Sequence, residues 1–363
     1  MKAQCSLLAT SLVEPVRCRD YDLARWDLLL RQARRADLLG TLAERLAATG
    51  VLDEVPRRPA LHLASARRLA ARHREIVRWD VRCLCEELAE LDCPIVLLKG
   101  AAYVLADLPP AAGRLFSDVD ILVPRERLAR VETVLLSKGW AFSKLDAYDQ
   151  RYYRQWMHEL PPMHHTRRHS SLDVHHNILP STAVVTPDAR LLLEAARPLA
   201  HDPRLAVLAP ADMVLHSATH LFFDGELEHG LRDLVDLDAL LRHFGSDEAF
   251  FPSLAQRAEQ LGLGRPLYYA AWNCRRFLRT PLPEAWLQAL AAQAPARPGR
   301  DFMQACFDRA LQPDHASCRD AFSGLARWLL YVRSHALRMP LRLLLPHLAH
   351  KAWRGRFGEQ ETA

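Results

Sequence analysis

No stretch of the chain narrows the possible folds more than Asp118-Val119-Asp120-Ile121-Leu122-Val123. Strict alternation over its first four residues predicts a β-strand, with Val119 and Ile121 turned to a core and Asp118 and Asp120 sharing the opposite face. Two carboxylates held side by side repel unless a cation lies between them. A hard divalent ion such as Mg²⁺ takes carboxylate oxygens while keeping phosphate and water ligands. The pair is therefore a seat for a metal-bound nucleotide.

Two further segments add chemistry of the same kind. Ser171-Leu172-Asp173-Val174-His175 alternates as a second strand, with Leu172 and Val174 inward. Asp173 then faces the other way, and a third carboxylate beside the first two would complete a two-metal cluster. His175 points to the same side as Asp173. Upstream, Pro94-Ile95-Val96-Leu97-Leu98 reads as a short buried strand ending in the turn Lys99-Gly100-Ala101. Glycine lets backbone approach a phosphate closely, and Lys99 adds a point charge. The turn has neither Walker nor GxGxxG spacing. Arg114, four residues before Asp118, carries a fork suited to triphosphate oxygens. Neutralising Asp118 or Asp120 is expected to relieve repulsion and leave stability unchanged or slightly raised.

Around this compact segment the hydrophobic period is helical. Residues 20–91 read as helices, with a long one over 61–91, and residues 187–348 read as helical throughout. Between them, helices are expected over 101–108 and 125–137, and strands over 140–143, 158–165 and 171–177. The organisation is thus a helical region at 1–91, a mixed core at 92–186 and a helical region at 187–363.

Composition excludes several classes. Half of the 363 residues are hydrophobic and a quarter charged, which rules out a disordered or fibrous chain. The net charge of +5 is mild and does not demand nucleic acid. Only five of the 48 basic residues are lysine, so a high arginine count is weak evidence of function. The arginines at 67–82 read as a solvated helix face, with RNA binding as the alternative. The basic stretch at 328–357 reads as packing against the helical region, with a membrane or partner surface as the alternative. The eight cysteines contain no CxxC pair, which fits a reduced protein. No apolar run approaches the roughly 18 residues of a membrane span. The run at 5–13 lacks a cleavage signature, so a cytoplasmic protein without membrane insertion is expected. His216 and His220 share a helix face, read as packing. Arg232 and Asp236 stand at ion-pair spacing.

Taken together, Ile95-Val-Leu-Leu-Lys-Gly100, Arg114-Leu-Phe-Ser-Asp118-Val-Asp120-Ile-Leu-Val, Ser137-Lys-Gly-Trp and Leu172-Asp173-Val-His175 resemble the nucleotidyltransferases of the polymerase-β-like superfamily. The chain looks more closely like a bacterial family of uncharacterised nucleotidyltransferases. The resemblance continues through Ala211-Asp-Met-Val-Leu-His216-Ser-Ala-Thr-His220 and Gly230-Leu-Arg232-Asp233-Leu-Val-Asp236, and spans residues 20–245. It implies an α+β fold, a polymerase-β-like core of mixed sheet and helices flanked by helical regions at both ends. It also implies transfer of a nucleoside monophosphate, AMP from ATP, to an acceptor hydroxyl, with Mg²⁺ or Mn²⁺. By it Asp118, Asp120 and Asp173 are the catalytic and metal-binding residues, and Gly100, with Lys99 and Arg114, holds the nucleoside triphosphate. The acceptor is a small molecule, a protein or RNA, and DNA is not expected. Gly100-Ala101 stands where the superfamily usually has Gly-Ser, removing one hydroxyl contact to phosphate. The alternative is a nucleotide-binding module that regulates or scaffolds a partner without turnover.

Overall fold

The computed structural model describes residues 6–91, 93–143, 147–200, 202–223 and 227–340. Four helices lead: α1 (Leu7–Val13), α2 (Leu23–Arg35), α3 (Leu39–Ala48) and α4 (Arg57–Glu87). The Asp22 side chain caps α2 by accepting from the Arg25 amide at 2.8 Å. In the 31-residue α4 the buried Leu63, Ala70, Val77, Val81 and Leu84 recur at helical spacing, so one stripe packs inward and the rest stays wet.

The sheet then begins. β1 (Ile95–Leu98) leads into α5 (Lys99–Leu105), and β2 (Val119–Leu122) follows. Next come α6 (Leu128–Ser137), β3 (Trp140–Phe142), α7 (Ala147–Trp156), β4 (Met163–His165) and β5 (Ser171–His175). After α8 (Ala189–Glu194) the chain returns to the sheet with β6 (Arg197–Leu199) and β7 (Asp202–Val207). The seven strands are ordered β3-β4-β5-β2-β1-β7-β6. β1 runs antiparallel to β2 and parallel to β7, and β2 runs parallel to β5. The protein is thus α+β, with a mixed sheet and many helices. Both faces of β1 are buried, as its unbroken apolar sequence requires.

The remainder is helical: α9 (Pro210–Phe223), α10 (Gly230–Phe244), α11 (Phe250–Gln260), α12 (Gly264–Leu278), α13 (Glu284–Leu290), α14 (Arg297–Ala310) and α15 (Ser323–Arg338). α9 packs on α10, α11, α12 and α15. Among the described residues no helix is long and apolar enough to cross a membrane, and the described cysteines form no disulfide. The part of the basic C-terminal stretch beyond residue 340 lies outside the described residues.

Two local expectations need correction. The run from 187 is not helical throughout, because β6 and β7 interrupt it. β6 is an edge strand containing Pro198, and an edge with an irregular register there is where a sheet tolerates proline. β7 opens with Asp202-Pro203-Arg204, and only its last three residues are buried, so it shows no clean alternation. The strand expected over 158–165 shrinks to Met163–His165, with an isolated bridge from Glu159 to His175. A helix, α7, precedes it in a stretch left unassigned by periodicity.

Candidate active site

The register of the central strands decides what stands beside what. Asp120 on β2 lies directly opposite Asp173 on β5. Directly opposed residues project to the same face, so their carboxylates are neighbours. Asp118 immediately precedes β2 and shares that face by the two-residue period. Leu172 and Val174 are fully buried beneath, as their alternation requires. Asp120 and Asp173 are therefore neighbours, and Asp118 is near enough to act on the charges of Asp173 and Lys99; β2 starts one residue later than the sequence pattern suggests.

Asp120 is 4% exposed and strongly compensated. Lys99 Nζ lies 3.3 Å from its Oδ1, and His175 Nε2 lies 3.1 Å from the same oxygen. Burial alone would raise its pKa, but Lys99 and the His175 hydrogen bond outweigh burial and hold it far below the usual carboxylate range. The same contacts act on Lys99: burial opposes its charge, and Asp120, Glu159 and Asp118 more than restore it. Asp173 has the opposite environment. Burial, reinforced by Asp120, Glu159 and Asp118, pushes its carboxyl up to about 7, with His175 opposing. The repulsion read from the sequence is therefore lodged at Asp173. Asp120 sits in a buried ion pair, so its neutralisation is now expected to cost stability.

The turn at Lys99-Gly100 is unusual in a way the sequence did not show. It is Lys99, at φ 40°, that takes the left-handed conformation. Gly100 matters for space instead. A Cβ there would come within 2.7 Å of both Arg114 Nη1 and the Phe116 ring. Arg114 is drawn onto this glycine by three contacts. Its Nε pairs with Asp236 Oδ2 at 2.9 Å, and its guanidinium lies 5.7 Å from the Tyr103 ring and 5.3 Å from the Phe116 ring.

Lys99, Gly100, Arg114, Asp118 and Asp120 line one cleft, whose other wall is helical. That wall consists of Ser217 and His220 of α9 and Arg232, Asp233 and Asp236 of α10. Tyr103 of α5 ties the walls together through its hydroxyl, 2.7 Å from Ser217 Oγ. Arg232 and Asp236 do not pair, despite their spacing. Arg232 takes Asp233 at 3.0 Å, and Asp236 is left to Arg114. Burial would raise the Asp233 pKa, but Arg232, His220 and Arg114 hold it low. Burial together with Asp233 outweighs Arg114 at Asp236 and pushes that carboxyl up to about 6. His216 and His220 part company: His216 is buried, and its pKa is driven well down by burial and Lys99. His220 lines the cleft, with Nδ1 4.0 Å from Asp233.

Glu159 is the acid that sequence reasoning missed. It lies 3.2 Å from His175 Nδ1, in a segment read from sequence as a strand with no acid singled out. A second cavity, of about 550 Å³, adjoins the first across Phe116, Ser117 and Asp118. Arg72, Ile76 and Trp79 of α4 line it together with Arg168. Of the long helix's arginines, Arg67 is held by Glu44, and Arg78 by Glu75 and Asp107.

No curated protein and no solved structure matches the chain. The model of the family described as uncharacterised nucleotidyltransferase matches residues 22–279, most of the chain, and the protein belongs to that family of enzymes.

Proposed function

We propose that this nucleotidyltransferase is metal-dependent and moves AMP from ATP to an acceptor hydroxyl, on a core of the polymerase-β-like kind. The observation that carries the reading is the pairing of Asp120 with Asp173 across β2 and β5, with Asp118 one residue before β2 and near enough to act on the charge of Asp173. The donor set suits the ion: hard oxygen ligands, and an acid at Asp173 that burial and its acidic neighbours keep protonated near neutrality in the metal-free protein. Asp118, Asp120 and Asp173 would hold Mg²⁺ or Mn²⁺. A bound ion would neutralise triphosphate charge and make the acceptor hydroxyl easier to deprotonate.

The chain's own groups supply the rest. Lys99, Gly100 and Arg114 share the first cleft with Asp118 and Asp120, which makes it the triphosphate bed. The ion pair with Asp236 and the two flanking rings keep the Arg114 fork in one orientation, lowering the cost of ordering it on substrate. Lys99 holds the Asp120 carboxylate in place. The larger cavity shares Asp118 with this cleft, so a donor in one and an acceptor in the other meet at that carboxylate. In the transfer, the acceptor oxygen forms a bond to the α-phosphorus and the bond from that phosphorus to the bridging oxygen breaks. Pyrophosphate leaves, and the hydroxyl proton passes to Asp173. Catalysis is then positioning plus charge neutralisation.

The test incubates purified protein with each of the four labelled nucleoside triphosphates, Mg²⁺ and cell lysate. Label from α-labelled ATP should enter an acceptor fraction with release of pyrophosphate, and EDTA should stop it. Failure to consume any of the four with either Mg²⁺ or Mn²⁺ overturns the reading.

A further inference from the structure

His158, Glu159 and His175 form a cluster that transfer chemistry on three aspartates does not use. One ligand atom of each lies within 4.8 Å of the others. The geometry points to a second metal site, for a borderline divalent ion such as Zn²⁺ or Co²⁺, built from these three side chains behind Asp120. Two imidazoles and a carboxylate form a donor set typical of such ions, and three protein ligands leave a position open. Magnesium, with its preference for oxygen, is a poor match.

Four observations carry the assignment. The backbone holds the ligands in place: Glu159 bridges to His175, and the His176 amide donates to the His158 carbonyl at 2.8 Å. His175 is 3% exposed, and the Nδ1 of His158 is buried without a hydrogen-bond partner. A buried ring nitrogen in that state is costly unless something ligates it. The His175 Nδ1 lies 3.2 Å from Glu159 Oε2, a spacing two ligands of one ion can keep. Finally, the other ring nitrogen, Nε2, sits 3.1 Å from Asp120 Oδ1. A metal-bound imidazole characteristically donates its second N–H to a carboxylate, which fixes ring and tautomer. Lys99 balances only part of the charge of the acids gathered here, so a further cation is electrostatically welcome. The ion would fix the ring that hydrogen-bonds Asp120, a positioning role for the acid that faces the cleft. The site rests on its own ligands and stands whether or not AMP transfer is the reaction.

The experiment uses the full chain, stripped with EDTA and dialysed into excess Mg²⁺ so that oxygen-only sites are occupied, then titrated with Co²⁺. One equivalent of Co²⁺ should bind with the visible absorption of a four- or five-coordinate ion, and Zn²⁺ should displace it. His158→Ala and Glu159→Gln should each weaken Co²⁺ binding at least about 10-fold, whereas Asp118→Asn should retain it. His158→Gln serves if His158→Ala does not fold, as judged by circular dichroism. The assignment is overturned if Mg²⁺ abolishes Co²⁺ binding, if the His158 and Glu159 variants bind as the parent does, or if Asp118→Asn loses the ion equally. Absence of transfer by the parent protein, with its Co²⁺ binding intact, would count against the proposed reaction alone.

Discussion

The sheet side and the helical wall of the cleft each carry a pair of acids and treat them differently, Asp173 standing beside Asp120 on the sheet without itself lining the cleft. On the helical wall, Asp233 and Asp236 each have an arginine, Arg232 at 3.0 Å and Arg114 at 2.9 Å. On the strand wall, Asp120 has Lys99, but the charges acting on Asp173 are mainly those of other acids. The helical wall is thus closed in charge and built to hold Arg114 still. The strand wall is left short of positive charge at one position, where a cation gains most by binding. A charge count alone misses this, since both walls are acidic; what differs is whether each carboxylate has its own partner.

Breaking the strand wall should have the largest effect. Asp118→Asn should lower Mg²⁺-dependent transfer about 10³-fold or more, since charge stabilisation by a bound ion is worth several kcal/mol. Steady-state transfer of labelled AMP measures this, and near-parental rates would remove Asp118 from the machinery. Ion-pair loss comes next. Asp120→Asn strands the buried Lys99, and Arg114→Met strands Asp236, so each should cost about 3 kcal/mol in urea unfolding. A stability unchanged by Asp120→Asn would show that the pair is not formed in solution.

The sharpest contrast is at Asp173. In EDTA the folded protein keeps this proton up to about pH 7, whereas the unfolded chain releases it near 3.8. The native state therefore binds the extra proton between those values, and metal-free stability falls as pH rises through that window. Asp173→Asn removes the dependence. It should be the more stable protein at pH 8, by no more than about 4 kcal/mol, with the advantage gone near pH 4. Excess Mg²⁺ should reverse the ranking at pH 8. Thermal melts across pH with and without metal test both statements. The smallest effect is expected for Gly100→Ala, which must push back the Arg114 fork and the Phe116 ring at a cost of about 1–3 kcal/mol. Its apparent affinity for ATP should fall with little change in Mg²⁺ dependence; an unperturbed affinity would place the triphosphate elsewhere.

Much of this was legible in the chain. Ile95–Leu98, Val119–Leu122 and Ser171–His175 announce themselves because they are short, bounded and either unbroken apolar or strictly alternating. A side chain's face within one strand follows from the period of two, so Asp118 with Asp120, and Asp173 with His175, were assigned without coordinates. The return of β6 and β7 to the sheet was not legible. An edge strand with a proline and a half-exposed neighbour carry no periodic mark, and their pairing rests on contacts with β1, about a hundred residues earlier.

Local pattern, then, determined the elements, the shared faces and the identity of the acids, because these depend on residues a few positions apart. Tertiary structure decided the charge state of each acid. Asp120 and Asp173 are the same residue type in the same kind of strand, directly opposite one another. One is ionised and the other holds its proton near neutrality, because Lys99 and His175 converge on Asp120 while burial, Asp120 itself and Glu159 act against ionisation of Asp173. Electrostatic energy depends on through-space distance and on exclusion of water. Neither is encoded in spacing along the chain, so the partners that settle protonation here, from Glu159 to Asp236, emerge only once the sheet and the helices of the opposite wall are in place.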